Sequence, residues 1–334
     1  MSPARSIART LTLAGALIMS TAVLAQPTAS QPAAASAISP DQAAVATVVE
    51  SVATFADRRD FDGLEALYAP EVRLDYTSLA GGEPEVVSPQ ALMTRWAGVL
   101  PGFDRTRHAI SNVRVSVQGG QAIATAHVVA DHWLGSQHWQ VSGDYEYRLA
   151  RDGHDWRITA HKLTVTGEQG SRDIFGPATE AAKRNPVAYL QRQQSRQVVM
   201  DFLTGLEVKD MARVNGVWAD DAVQEMPYAP ANFPKRVVGK EALIKQYAAW
   251  PQNSGKARFT DGIRFYPTRD PSIVVVEYHG VTEVVPTRRT YDQRYIGLFH
   301  VEGGKITLFR EYFDPNVFAY AFGLNEGGDF YGKK

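Results

Sequence analysis

One order of periodicities occurs twice along this chain, and it constrains the fold more than any other feature. Ser39-Pro40-Asp41-Gln42 forms a capping box with proline in the first turn. Val45, Val48, Val49, Val52 and Phe55 then recur at helical spacing. A second short helix is predicted on Phe61, Leu64, Leu67 and Tyr68, then a strand from Val72 to Thr77 and a turn at Gly81-Gly82. Ser88-Pro89 opens a third helix carrying Leu92 and Trp96. Four strand-like runs follow: His108 to Val117, Ala122 to Trp133, Trp139 to Leu149 and Trp156 to Val165.

The second half repeats this order. Val199, Phe202, Leu203 and Leu206 mark its first helix, and Met211, Val214 and Trp218 its second. A strand is predicted at Ala222 to Met226 and a third helix on Leu243, Ile244 and Tyr247. The four runs are then Arg258 to Tyr266, Ser272 to Glu283, Tyr291 to Val301 and Ile306 to Phe313. Helices followed by a long meander define an α+β class, with helices packed on a curved, mostly antiparallel sheet. Such a sheet wrapped on a helix leaves a hollow suited to a small molecule. The expected architecture is two tandem cone-shaped α+β barrels, spanning 39–168 and 193–325, joined by a polar connection at 169–192. A short helix is expected at Ala178 to Lys183.

The first 25 residues read as an address. Arg5 and Arg9 precede the apolar run Leu11 to Leu24, with cleavage expected after Ala25. Residues 26–38 read as a flexible leader and 326–334 as a tail. An uncleaved anchor is the alternative, and otherwise no integral membrane segment is expected. Export to the periplasm or medium follows from the signal reading. Loss of Arg5 and Arg9 takes the formal net charge from −1 to −3, which argues against nucleic acid as a partner. The absence of cysteine excludes disulfides, thiolate metal sites and cysteine nucleophiles, so an apolar core must stabilise the chain. No cofactor or metal is implied by the motifs. Homo-oligomerisation is left open.

Short stretches in the first unit have a familiar order: Phe55-Ala56-Asp57-Arg58-Arg59-Asp60-Phe61, Leu74-Asp75-Tyr76-Thr77-Ser78, Thr106-Arg107-His108, Ala130-Asp131-His132, Tyr147-Arg148 and Arg172-Asp173-Ile174-Phe175. In this order they resemble scytalone dehydratase and its SnoaL-like relatives, of the nuclear transport factor 2 superfamily. The resemblance implies a site made of Asp57, Tyr76, His108 and His132. Asp57 would orient and charge-stabilise His132, one histidine would take a proton next to a carbonyl, and the other would give one to a departing hydroxyl. Tyr76 would polarise the carbonyl. Ala56, Val141 and Gly143 stand where that family has polar groups, so a different substrate is expected. Physically, histidine both takes and gives protons near neutral pH, and a carboxylate beside it fixes the tautomer. The same residues could instead form a satisfied polar network in a binding cavity.

The other histidines read more plainly. His127 and His132 lie five residues apart and so face opposite sides of one strand. His154 falls in a turn, and His161 is a further candidate for the pocket. Asp75 and Glu225 occupy equivalent places in the two units, which suggests an architectural role.

The second unit carries Tyr291-Asp292-Gln293-Arg294-Tyr295 and Arg310-Glu311-Tyr312-Phe313-Asp314-Pro315. These resemble SnoaL-type cyclases and the phenazine-biosynthesis PhzA/PhzB proteins, which implies an acid–base role for Glu311. Glu277 and His279 share a strand face and could join it. A structural pair of Arg310 with Glu311, or with another strand, is the alternative.

Three functions therefore stand. The first is a cofactor-free lyase, a dehydratase of a small hydrophobic or aromatic hydroxy-carbonyl compound. The others are an isomerase or cyclase using Glu311, and a binding protein whose cones hold a ligand unchanged.

Overall fold

The computed structural model describes residues 38–231 and 233–324. The expected signal sequence and C-terminal tail, and all of the leader except Ile38, lie outside them. The first unit contains α1 (Pro40–Arg58), α2 (Phe61–Ala66), β1 (Tyr68–Asp75), α3 (Thr77–Ala80), β2 (Glu85–Val87), α4 (Pro89–Ala97), β3 (Arg105–Gln118), β4 (Gln121–Leu134), β5 (Gln137–Asp152) and β6 (Asp155–Gly170). Helix α5 (Phe175–Arg184) leads into the second unit. That unit contains α6 (Ala188–Val208), α7 (Met211–Gly216), β7 (Trp218–Glu225), β8 (Arg236–Val238), α8 (Lys240–Tyr247), α9 (Trp250–Asn253), β9 (Arg264–Tyr266), β10 (Ile273–Val284), β11 (Arg289–Glu302), β12 (Lys305–Phe313) and α10 (Pro315–Ala321).

Each unit forms a six-stranded sheet, ordered β2-β1-β6-β5-β4-β3 and β8-β7-β12-β11-β10-β9. Only β1 with β6 and β7 with β12 are parallel; the meanders are antiparallel. The local devices repeat as well. Ser39 caps α1 with the expected capping box. Helix α1 ends in left-handed Arg59 and α6 in left-handed Lys209. The following Asp60 and Asp210 cap α2 and α7. These anchors fix the equivalence of Asp57 with Glu207, Asp75 with Glu225 and Tyr76 with Met226.

Alternation builds the core. Ala122, Ala124, Ala126, Val128 and Ala130 of β4 turn inward, and so do Trp139, Val141, Tyr145, Tyr147 and Leu149 of β5. The small residues of β4 let α1 lie close over the sheet while the aromatics fill the space beyond. In the second sheet Gly280 and Gly297 sit in inward rows. A Cβ on Gly280 would lie 2.6 Å from the Phe259 ring, and one on Gly297 2.7 Å from Phe299. These glycines make room for aromatic side chains.

The structure departs from the sequence expectations at several edges. Tyr68 and Trp218 fit the helical spacing but open β1 and β7, because pairing with Ile158 and Ile306 claims their backbones. The run Arg258 to Tyr266 is a strand only from Arg264, with an isolated bridge between Arg258 and Val281. The cause is Glu207, whose carboxylate accepts the amides of Phe259 and Thr260 in place of a neighbouring strand. The expected short helix in 169–192 extends over the whole of α5, and its Ala178 and Ala182 are buried. Among the described residues no helix is long and apolar enough to cross a membrane.

Candidate active site

The first cone encloses a cavity of about 200 Å³, lined by apolar side chains together with Tyr76, His108, His132 and Tyr145. His108 reaches it from β3, and Asp57, in the last turn of α1, stands behind His108 and outside the cavity lining. The Asp57 Oδ1 lies 2.7 Å from His108 Nδ1, and its Oδ2 accepts the His108 backbone N–H at 2.8 Å. Thr106 Oγ1 donates to Asp57 at 2.9 Å, and Arg59 donates to Thr106 at 2.6 Å. Burial alone would raise the Asp57 carboxyl, but these bonds from His108 and Thr106 hold it below its ordinary range. An ionised carboxylate accepts only, so His108 Nδ1 donates to Asp57, leaving Nε2 as the nitrogen that can exchange a proton.

This pairing corrects one expectation. Asp57 binds His108, not His132. His132 sits on β4 opposite Thr106, packed against Phe103 and Trp139, with its ring 5.5 Å from that of His108. Its Nδ1 has no hydrogen-bond partner among the described residues. Burial, then the charges of His108 and Arg59, push its pKa down to about 3, so it is neutral at neutral pH. A neutral imidazole does not serve as the cationic acid that the resemblance implies.

Tyr76 lines the cavity, but its hydroxyl lies 3.2 Å from Nε2 of His161. His161 stands behind the cavity wall, fully buried, with Tyr68 on its other nitrogen at 3.1 Å. The Arg172 motif positions part of the lining. Arg172 pairs with Glu168, which accepts from the Trp139 indole, and both Trp139 and Phe175 face the cavity. Sequence reasoning gave no role to Thr106, Arg59 or Tyr145; the parity of β5, with Trp139 and Tyr145 on one face, was the signal for the last.

The second cone encloses about 290 Å³. Glu311 projects into it from β12, and the Tyr278 hydroxyl donates to its Oε1. Burial pushes the Glu311 carboxyl up to about 7 against the lowering effect of that bond. Tyr247, Tyr291 and Tyr295 also line the space, and Gln224 accepts from Tyr247 and Gln246. Arg310 points the other way and pairs with Glu225, so it does not pair with Glu311. Glu277 and His279 share a face as expected, but it is the outer one: Glu277 accepts from Tyr266 and His279 bonds Asp292. Tyr278, between them, faces Glu311. Asp75 caps Thr77 and lies 3.7 Å from Lys162, an arrangement that matches the architectural reading of the Asp75/Glu225 position. His127 bonds Asp144 outside the sheet, and His154 is exposed in its turn.

Two helix-backed sheets, each closed around a pocket, define a tandem cone protein of the nuclear transport factor 2-like class. The SnoaL-like domain model matches residues 38–162, and a second SnoaL-like domain model matches residues 199–309. The chain belongs to the SnoaL-like family, with two such domains in tandem. The uncharacterised protein YesE of Bacillus subtilis is 30% identical over 131 residues, 39% of this chain and 88% of YesE. An uncharacterised PhzA/B-like protein of Pseudomonas aeruginosa is 28% identical over 36% of this chain and 84% of its own length. A solved protein from Kribbella flavida is 25% identical, covering 40-odd per cent of this chain (43%) and 97% of its own, with a TM-score of 0.37.

Proposed function

We propose that this chain is an exported lyase that removes water from a small hydrophobic or aromatic hydroxy-carbonyl compound in its first cone, using its own acid–base side chains. The observation that carries this reading is the Asp57–His108 pair at the wall of an apolar cavity. His108 Nε2 takes the proton next to the carbonyl, and Asp57 stabilises the imidazolium that forms. The electron pair passes into the carbonyl, and its oxygen rests against the tyrosines that line the cavity, Tyr76 and Tyr145. The same imidazolium returns its proton to the departing hydroxyl, releasing water and an unsaturated carbonyl. Neutral His132 lies beside this exchange as a hydrogen-bonding group rather than a proton donor. Export rests on Arg5, Arg9 and the apolar run that follows them.

The test is a screen of β-hydroxy aryl ketones with the chain beginning at Gln26, followed by absorbance of the conjugated product. Turnover lost in His108→Ala and retained in Glu311→Gln supports the reading. Turnover that survives in His108→Ala but vanishes in Glu311→Gln moves the chemistry to the second cone. One observation favours that second reading, an isomerase or cyclase: the Glu311 carboxyl, pushed up to about 7 in an aromatic cavity, is poised to shuttle protons.

A further inference from the structure

We infer that the second cone is a binding site for a small aromatic ammonium compound, whose ring packs among the aromatic side chains of the cavity and whose charged nitrogen lies against the Glu311 carboxylate. The inference concerns the second cavity alone and is independent of the chemistry assigned to the first.

The register of the sheet assembles the site. Glu311 on β12 lies across from Gly297 on β11, and Gly297 across from Val276 on β10. Gly297 has no side chain, so the Tyr278 hydroxyl, two residues past Val276, can cross β11 and donate to Glu311 Oε1. This is the one hydrogen bond to the Glu311 side chain among the described residues, and Oε2 receives no donor from them. No lysine, arginine or histidine stands among the described residues that line the cavity, and neighbouring Arg310 is turned outward to Glu225. The carboxylate therefore has no counter-charge of its own. More than half of the lining is aromatic, including Tyr247, Trp250, Tyr278, Tyr291 and Tyr295. Tyr278 and Tyr295 stack at 4.6 Å, and Tyr291 stands edge-on to Tyr295 at 6.4 Å. Ring faces carry negative potential and attract a cation, most strongly where water is excluded. An anion is thus repelled by both the carboxylate and the rings, and a neutral guest leaves the buried charge unpaired. A cation with N–H donors satisfies both. The raised Glu311 carboxyl agrees with this, because burial without a counter-charge disfavours the ionised form. A bound ammonium supplies the counter-charge, so Glu311 ionises and releases its proton. The first cavity also has aromatic walls, but it carries His108 and His132 and no carboxylate among its described lining. An ammonium compound should therefore choose the second cone.

Benzylamine and benzyl alcohol serve as the probes, since they share a ring and differ in the charge beside it. A primary amine keeps its proton from pH 5 to 8, so the charge of the ligand is constant there. Calorimetric titration of the wild-type chain at pH 8 should show the ammonium bound about tenfold or more tightly than the alcohol, the worth of one charge-assisted hydrogen bond. Below pH 7 the ammonium must displace the Glu311 proton, so its affinity should fall about tenfold from pH 8 to 6, while that of the alcohol holds within about twofold. Titrations at pH 6 in two buffers of different ionisation enthalpy should show close to one proton released per ammonium bound. Glu311→Gln should bring the ammonium down to the affinity of the alcohol and abolish the proton release. Alcohol binding retained in that variant shows that its cavity is intact. Should Glu311→Gln fail to fold, Tyr278→Phe takes its place: it removes the donor that lowers the Glu311 carboxyl, so the pH of half-maximal ammonium affinity should rise. Equal affinities in the wild-type chain at pH 8, no proton released at pH 6, a preference retained in Glu311→Gln, or an unmoved pH midpoint in Tyr278→Phe each overturns the inference.

Discussion

Leu163 and Glu311 hold the same place in the two sheets: Leu163 lies across from Tyr145 and two residues past His161, and Glu311 lies across from Gly297 and two residues past Phe309. One frame therefore carries two inverted chemistries. Where the first cone has a leucine, the second has its only cavity carboxylate among the described residues. Conversely, His132 of the first cone faces Trp139 across the hairpin, and Thr282 faces Tyr291 at that place in the second. Asp57 has a counterpart in Glu207, which accepts the amides of Phe259 and Thr260 without any histidine beside it. The helix-end carboxylate thus has an architectural duty in both cones, and only the first cone adds an imidazole to it.

The dyad makes the first prediction. Asp57→Asn and His108→Ala should each lower first-cone turnover by roughly 10²–10⁴-fold. The double variant should cost little more than the worse single one, because the two residues act as a unit. Asp57→Asn also sets an amide N–H against the His108 backbone N–H, so its melting temperature should fall more than that of His108→Ala. Steady-state rates and thermal melts on all three variants check this, and strictly additive rate losses would count against the dyad.

A second prediction separates the cones. The Cβ of Gly280→Ala would press on Phe259 and lie 2.9 Å from Tyr295, and both rings line the second cavity. Overpacking of this kind costs typically 1–3 kcal/mol. The variant should lose stability and second-cone ligand binding while first-cone turnover stays within twofold. Urea unfolding and paired binding assays provide the check.

The sequence carried the frame clearly and the site partly. Ser39, Ser88 and the alternating β4 and β5 announced their elements because caps and parity act locally. The same parity put His132 and His127 on opposite faces, and the resemblance chose His132 for the pocket, which it lines. Which histidine Asp57 would meet was not legible, since it depends on how the end of α1 lies over β3. The bonds of the Asp57 carboxylate to the His108 amide and ring decide it. Glu277 and His279 were read as inward because shared parity gives a common face without saying which; the inward Tyr278 and Gly280 settle that. The helical spacing that claimed Tyr68 and Trp218 was overruled by parallel pairing across more than eighty residues, which no local window sees.

Glu311 makes the third prediction. Its carboxyl titrates near 7 in the fold against an ordinary value of 4.5. The folded state therefore holds a proton that the unfolded chain releases, and stability from this group is full below 4.5 and lost as pH rises through 7. The loss amounts to roughly 3 kcal/mol at one pKa unit per 1.36 kcal/mol. Glu311→Gln should erase that slope and be the more stable protein at pH 8. Urea midpoints for both chains from pH 5 to 8 test it, and parallel curves would sink the assignment of a raised carboxyl.

The last prediction concerns acid. Burial pushes both His132 and His161 down to about 3 from an ordinary 6.5. Here the sign is opposite to that of Glu311: the unfolded chain takes up protons that the fold refuses. The stability from each neutral imidazole is fully present above 6.5 and is lost as pH falls toward 3. Over two pH units below 6.5, each would forfeit about 2–3 kcal/mol, a large share of the stability of an ordinary domain. The limb is cleanest in a Glu311→Gln background, where the carboxyl no longer opposes it between 4.5 and 7. In that background, urea midpoints should fall steadily from pH 7 to pH 5. Adding His161→Phe should remove about half of the slope; the pH 7.5 midpoint should also fall, because the buried Tyr68 hydroxyl loses its His161 partner. Adding His132→Phe should remove the remainder. A flat profile from pH 7 to 5 in Glu311→Gln alone would mean that the imidazoles are protonated or solvated in the fold. The neutral His161 between Tyr68 and Tyr76, and the neutral His132 beside His108, would then both be wrong.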